Sequence, residues 1–568
     1  MIDFDPEKPD APVGLAMICV RFTFFALGAW ILSSLLGLKA LAPISLLLWA
    51  SLLWLTIRRL ARRMPLRCFS RADGMGLAIT GIYAILVHAW LRDVWVAPSN
   101  DDTINHLYYL RTLIEQKTCL LGQTFKPGQS LFGSERNHFY PTGSHALIAL
   151  WSYPWLALGV SIPDALGGTI RLALLIWPWV LWRGSRLLLS PGTSPMLRGF
   201  LVVSAATLPV FPLWPLGEGG MSRILAMILF TPLWFTAISR SHKDLSDGLL
   251  WSGFLAPILL FIHPSLLPLI GIAVLFFPKR DIQRALLGLP LGALFFILIL
   301  RSGHQEVFSI QSVLEFQGWF DRLKGPFHYW FSDPYGFGKF LSPKNYPVYA
   351  ILWLWVAGKA PLRSAILFAT PFLISALSFA PLESLRQIGL IFYHSSKRVA
   401  ELTPLIGLTL SCFSLGSIQR FGWKTNAVLI LLSSFFLFSF FQKSVPGLEN
   451  YHELYRTIKT TQLTRIQQTL HSIPQTAVIL NDHHDFDALR FVMNQDFYNK
   501  WSECSSLEKH TEYCTRRKNL PIDILNGKAP GPFPAGREVW WIPEKGATPA
   551  RNLQELSMTS DQKIYRIQ

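Results

Sequence analysis

Two adjacent carboxylates, Asp101 and Asp102, follow directly on a hydrophobic segment, in the run Ala97-Pro-Ser-Asn-Asp-Asp-Thr-Ile-Asn-His106. Paired carboxylates can take a proton as general base or supply oxygen ligands to a divalent cation. Asp102 and His106 are four residues apart, so a helix starting here carries them on one face. The plainer reading is a helix cap. Asn100 or Asp101 would accept from the free N–H groups of the first turn, where the helix dipole favours negative charge. Capping accounts for one carboxylate and leaves the second over.

Further polar groups occur at intervals. His138-Phe-Tyr-Pro-Thr-Gly-Ser-His145 offers His138, Tyr140 and His145 around a Pro-Gly turn. It reads either as an aromatic anchor at a membrane interface or as the wall of a polar pocket. Pro215-Leu-Gly-Glu-Gly-Gly220 places Glu218 in a flexible turn, where glycines let backbone approach a ligand. His263-Pro264 sits where two apolar runs meet. A histidine within membrane segments is costly and so points to function, although a helix-breaking turn with a satisfied ring also fits. Arg386 and the run Tyr393-His-Ser-Ser-Lys397-Arg398-Val-Ala-Glu401 form a basic segment. Cations near a bilayer suit a lipid phosphate or diphosphate, the alternative being a pair between Arg398 and Glu401 or Glu383. There is no Walker A sequence, no Rossmann glycine fingerprint and no Gly-x-Ser-x-Gly.

The elements that must position these groups are membrane helices. The chain has 568 residues, 51% hydrophobic and only 15% charged. Soluble domains average about 25% charged. Mean hydropathy is +0.32, and long apolar runs recur from Gly14 to Phe441. The net charge of +17 is placed in short loops, so it marks topology and not nucleic-acid binding. Arg58, Arg59, Arg62, Arg63, Arg67 and Arg71 lie between two spans and define a cytoplasmic loop. Basic turns at Arg183/Arg186/Arg198, Arg240/Lys243, Lys279/Arg280/Arg284, Lys359/Arg363 and Arg420/Lys424 follow the same rule.

Placing these turns inside predicts about thirteen spans. They fall at 14–37, 41–57, 74–92, 165–187, 198–214, 222–239, 248–263, 265–278, 285–301, 346–359, 364–380, 403–418 and 425–441. The N-terminus is then cytoplasmic and the C-terminal region outside. Ala146–Gly159 is apolar too, but a span there would invert the following basic turns, and Pro154 interrupts it. It is expected to lie on the outer membrane surface, within an outer loop at 93–164. Residues 443–568 are polar, with a helix-like stretch at Tyr451–His471 and strand-like ones at Thr476–Leu480, Val539–Ile542 and Lys563–Ile567. The expected fold is an all-α polytopic membrane protein with a small extracytoplasmic C-terminal α/β domain. Its parts are an N-terminal hairpin with basic loop (1–73), a transmembrane core (74–442) and the tail domain (443–568). Cys504 and Cys514 would pair if the outer compartment is oxidising.

In order, the span at 74–92, Asp101/Asp102, Tyr140-Pro141, the Ala146–Gly159 helix and the next span resemble the GT-C superfamily of integral-membrane glycosyltransferases. The layout is similar to the lipid A aminoarabinose transferases and protein mannosyltransferases. Asp102/His106, the Tyr140-to-His145 run, His263-Pro264 and Tyr393 to Arg398 look closer to a little-characterised bacterial family of multi-span glycosyltransferases. The extra hairpin at 14–57 and an Asp-Asp in place of Asp-x-Asp depart from the superfamily. They leave open which carboxylate is the base and whether a divalent cation is required.

The resemblance implies a bacterial inner-membrane enzyme that uses a sugar on a polyprenyl phosphate. The acceptor would be an envelope glycan, lipid or protein at the outer face. Asp102, or else Asp101, would act as base. Arg398 with Lys397 or Arg386 would hold the phosphate. His106, His138, Tyr140, His145, Glu218 and His263 would line the substrate site. Two other readings use the same interface: a lipid-linked polysaccharide polymerase or ligase, and a transporter or flippase of lipid-linked sugars.

Overall fold

A computed structural model describes residues 13–61, 73–91, 101–120, 142–189, 193–208, 211–212, 215–216, 220–239, 248–303, 365–367, 369–370, 373, 401–415, 422–439, 460–483, 486, 489, 496–499, 512–526, 537–544, 553–558 and 562–568. The described chain is mostly helical, with a small sheet near its C-terminus.

The helices in chain order are α1 (Val13–Leu35), α2 (Leu41–Ala61), α3 (Asp73–Leu91), α4 (Asp101–Gln116), α5 (Gly143–Ala157), α6 (Ile162–Leu188), α7 (Pro195–Ala206) and α8 (Met221–Ile238). Next come α9 (Gly248–Ile262), which contains a π-turn at Trp251–Leu255, a 3₁₀ turn at Pro264–Leu266, α10 (Leu267–Leu275) and α11 (Lys279–Gly303). After a gap follow α12 (Thr403–Leu415) and α13 (Trp423–Ser439). Helices therefore stand in each expected span that is described, though not always over its full length. The expected span 346–359, and nearly all of 364–380, lie outside the described residues.

Four described helices are long and apolar enough to cross a membrane, over Leu41–Arg58, Ile162–Leu188, Met221–Ile238 and Lys279–Ile299. Others are shorter than expected. The stretch predicted at 198–214 is helical only to Ala206. Pro209, Pro212 and Pro215 follow, each without the N–H a continuing helix needs. α2 and α11 expose apolar side chains such as Leu47 and Leu287, as lipid-facing helices do, whereas α8 is buried along most of its length.

α5, which the sequence reading places at the outer membrane surface, packs among the other helices. Gly143 to Leu150 are all buried, and large exposed side chains such as Trp155 and Leu158 come only at its end. Two local features let it enter the bundle. Pro154 cannot donate to the carbonyl of Leu150, and Ser45 Oγ on α2 donates to that oxygen instead, at 2.7 Å. Trp49 Nε1, also on α2, donates to the next carbonyl, Trp151, at 3.2 Å. At the other end Gly143 sits against backbone. A Cβ there would come within 2.6 Å of the Phe261 carbonyl oxygen on α9.

The described part of the tail begins with α14 (Thr460–His471) and contains β1 (Val478–Asn481), β2 (Asp496–Asn499), α15 (Glu512–Leu525), β3 (Val539–Ile542), β4 (Glu555–Ser557) and β5 (Lys563–Arg566). The sheet order is β2-β1-β3-β5-β4. β1 runs parallel to β2 and β3, and β5 runs antiparallel to β3 and β4. Periodicity locates α14, β1, β3 and β5 but not β2, β4 or α15. β4 is short and mostly exposed, so it lacks the apolar alternation that marks a strand. The cysteines Cys504 and Cys514 lie outside the described side chains.

Candidate functional site

One group of described polar residues gathers where α4, α5, α8, α9 and α12 meet. On α4, His106 follows Asp102 by four residues, about 6 Å along the axis. Its Nδ1 lies 2.7 Å from Nε2 of His145, in the first turn of α5. Both rings are buried, and their centroids are 4.9 Å apart. Tyr109, one turn further along α4, packs its ring 5.3 Å from that of His145. α4 then ends at Lys117, whose φ of 58° is left-handed. The turn after it is anchored to α1 and to the start of α5. Trp30 Nε1 donates to the Lys117 carbonyl at 3.2 Å, and Thr142 Oγ1 to the Cys119 carbonyl at 2.8 Å.

From His145 the cluster extends to α8. Ser144 Oγ and Ser222 Oγ share a hydrogen bond of 2.7 Å. The next residue, Arg223, is buried and forms an ion pair with Glu401, just ahead of α12. Gly220 makes room for it, since a Cβ there would lie within 2.3 Å of an Arg223 Nη atom. An ion pair this deep costs several kcal/mol of desolvation per charge and persists only when both partners are held. On the opposite side Gly143 touches the end of α9 at Phe261 and Ile262, directly before His263. His263 is buried and extended, and its Nδ1 accepts from the Ser265 N–H at 3.2 Å. That bond places the proton of a neutral ring on Nε2.

The electrostatics follow from burial. Desolvation, reinforced by the neighbouring His106, holds the His145 imidazole well below the usual histidine value, so it is neutral near pH 7. The N-termini of α5 and α8 meet at Ser144/Ser222, and the start of α12 meets α8 through Glu401 and Arg223. Helix N-termini carry partial positive charge and attract anions.

Of the residues expected from sequence, His106 and His145 are brought into contact, and His263 follows directly on the α9 backbone that Gly143 packs against. Asp101 and Asp102 open α4, but their side chains lie outside the described part. His138, Tyr140, Glu218, Arg386, Lys397 and Arg398 are likewise outside it. Glu401, with Glu383 the alternative partner for Arg398, pairs with Arg223. Sequence reasoning missed Arg223, Ser144 and Ser222. An arginine three residues into an apolar helix was the available signal for Arg223. The two serines had none, because small hydroxyls are common in membrane helices. Among the described side chains no three His, Cys, Asp or Glu residues form a metal site.

No protein-family model matches the chain, and no curated protein matches it significantly. Fold and site together define a helical membrane protein with a buried polar cluster of two contacting histidines, two serines and an arginine–glutamate pair.

Proposed function

We propose that the chain is a membrane glycosyltransferase. It would move a sugar from a polyprenyl-phosphate-linked donor to an envelope glycan, lipid or protein at the outer face of a bacterial inner membrane. The observation that carries this reading is the gathering of His106, His145, Arg223 and Glu401 at the junction of helix ends that α4 enters. α4 itself opens with Asp101 and Asp102.

The chemistry fits the parts. An acceptor hydroxyl needs a base within hydrogen-bond reach as it attacks the anomeric carbon. Asp102 is that base. A helix start favours negative charge, and the carboxylate is the form that takes a proton. His106, on the same face of α4, orients the acceptor or the carboxylate. The leaving phosphate gains negative charge as the glycosidic bond breaks, and fixed cations and helix N-termini stabilise that charge. Arg398, Lys397 and Arg386 remain the proposed phosphate ligands, three or more residues ahead of Glu401 in the chain. Direct attack inverts the anomeric centre. A divalent cation on the aspartates is the one cofactor left open. The experiment is transfer from a defined polyprenyl-phosphate sugar by the purified chain, with Asp102→Asn as the deciding variant. Full activity of that variant, correctly folded and inserted, overturns Asp102 as base.

The buried Arg223 and paired histidines favour one second reading, a polymerase or ligase of lipid-linked polysaccharide, which relies on Arg and His instead of an acid. Activity that survives loss of both aspartates but not of Arg398 selects it.

A further inference from the structure

The bundle carries a second charged cluster at its other end. Gly184 on α6 packs against Phe235, near the end of α8, whereas Arg223 is near the start of α8. The separation along α8 is about twelve residues, roughly 18 Å. Here Asp73, the first residue of α3, is fully buried. It pairs with Arg183 at 2.9 Å and Arg186 at 3.4 Å on α6, and accepts from Trp182 Nε1 at 3.1 Å. Arg198, on α7, is buried beside them. It donates to Ser185 Oγ at 3.2 Å and to the Trp182 carbonyl, and lies 3.8 Å over the Trp182 ring.

Arg198 therefore spends its hydrogen bonds on neutral groups, and Arg186 holds a carboxylate that Arg183 holds more closely. Both guanidiniums are permanently charged in a region of low polarity, where an uncompensated cation is costly. One carboxylate, Asp73, is shared among Arg183, Arg186 and the neighbouring Arg198, so the described charges of the cluster are positive on balance. Arg186 keeps about a quarter of its side chain exposed (27%), which opens the cluster to the surface. Further along the same face of α6 the surface is apolar. Leu172, Ile176, Trp179, Arg183 and Arg186 recur at helical spacing on one face of α6, and Leu172 and Ile176 are exposed at 53% and 38%.

We propose that this cluster binds the phosphate of an anionic membrane lipid, with Arg186 as the reaching ligand. The acyl chain would lie along Leu172 and Ile176. Anionic phosphate is the group that two neighbouring guanidiniums recognise, and the apolar stripe selects a lipid over a free ion. On the topology read from the basic turns, this end faces the cytoplasm. The site is independent of the sugar-transfer reading, and its test reads binding alone.

The test is titration of the detergent-solubilised full chain with dioleoylphosphatidylglycerol, dioleoylphosphatidylcholine or inorganic phosphate, read by native mass spectrometry and thermal shift. Phosphatidylglycerol is expected to bind and raise the melting temperature. Arg186→Gln, at a partly exposed position that folding tolerates, should weaken that binding about tenfold, as loss of one charged hydrogen bond does. Arg186→Lys should recover part of it, and the exposed Arg284→Gln should bind as the parent does. Equal affinity for phosphatidylcholine, or an Arg186→Gln variant that binds as the parent does, overturns the site. A shift by inorganic phosphate equal to that by phosphatidylglycerol overturns the lipid.

Discussion

His106 Nδ1 and His145 Nε2 stand 2.7 Å apart, so one ring donates and the other accepts, and the contact cannot survive protonation of both facing nitrogens. His145 is the neutral member, held so by burial and by His106. Unfolded, this imidazole takes up a proton near pH 6.5, whereas folded it does so only well below that. Below about pH 6.5 the unfolded chain thus binds more protons, and stability falls as the pH drops. The contribution is complete above that pH and is lost by up to about 1.4 kcal/mol per pH unit below it. The melting temperature of the solubilised protein is expected to decline between pH 7 and pH 5, with a shallower slope in His145→Gln. Parallel slopes would assign the loss to other groups.

The Arg223–Glu401 pair should behave as a unit. Arg223→Met takes the paired guanidinium from the buried Glu401 carboxylate and is expected to cost about 3–5 kcal/mol. Adding Glu401→Met removes that carboxylate, so the double variant should be more stable than Arg223→Met alone. A double-mutant cycle in thermal or denaturant unfolding measures the coupling. Additive losses would mean that the two side chains act separately.

Entry of α5 into the bundle depends on Gly143. Its added Cβ would meet the Phe261 carbonyl oxygen at 2.6 Å and the Ile262 nitrogen at 2.7 Å, and both are backbone atoms that cannot turn aside. Gly143→Ala is expected to cost about 1–3 kcal/mol. Gly168→Ala on α6, with no atom within 4 Å of the new carbon, should be neutral or stabilise by up to about 1 kcal/mol. Unfolding midpoints of the two variants should therefore move apart, and similar midpoints would argue against the close crossing.

For sugar transfer, Asp102→Asn is expected to lower the rate by about 10²–10⁴-fold, the range of a lost general base. Asp101→Asn should have a smaller effect if that residue serves as the cap. His106→Gln, which breaks the histidine contact while keeping a polar group, should fall between the two. Rates with a defined donor, alongside melting curves for each variant, separate chemistry from folding. Loss with Asp101→Asn but not Asp102→Asn would exchange the roles of the aspartates.

Several elements were legible in the residues themselves. Apolar runs located the helices from Val13 to Ser439, because burying or lipid-facing apolar surface is a property each segment carries alone. The short β-branched and aromatic runs in Val539–Ile542 and Lys563–Arg566 marked strands for a similar reason. The four-residue spacing of Asp102 and His106 placed them on one helix face, and the buried His263 turn was visible as a break between two runs.

Partner choice was a different matter. His106 and His145 are 39 residues apart, Asp73 and Arg183 are 110 apart, and Arg223 and Glu401 are 178 apart. The cost of a buried charge says from sequence that Arg223 and Asp73 need partners, and does not say which. That was decided by packing. Gly143 let α5 approach the end of α9, Pro154 freed the carbonyl that Ser45 takes, and these contacts set the level at which Ser144 meets Ser222. Hydropathy and spacing act over a few residues, so the sequence by itself determined the helices. Only the tertiary structure, through long-range packing of those helices, decided which buried polar groups share one site.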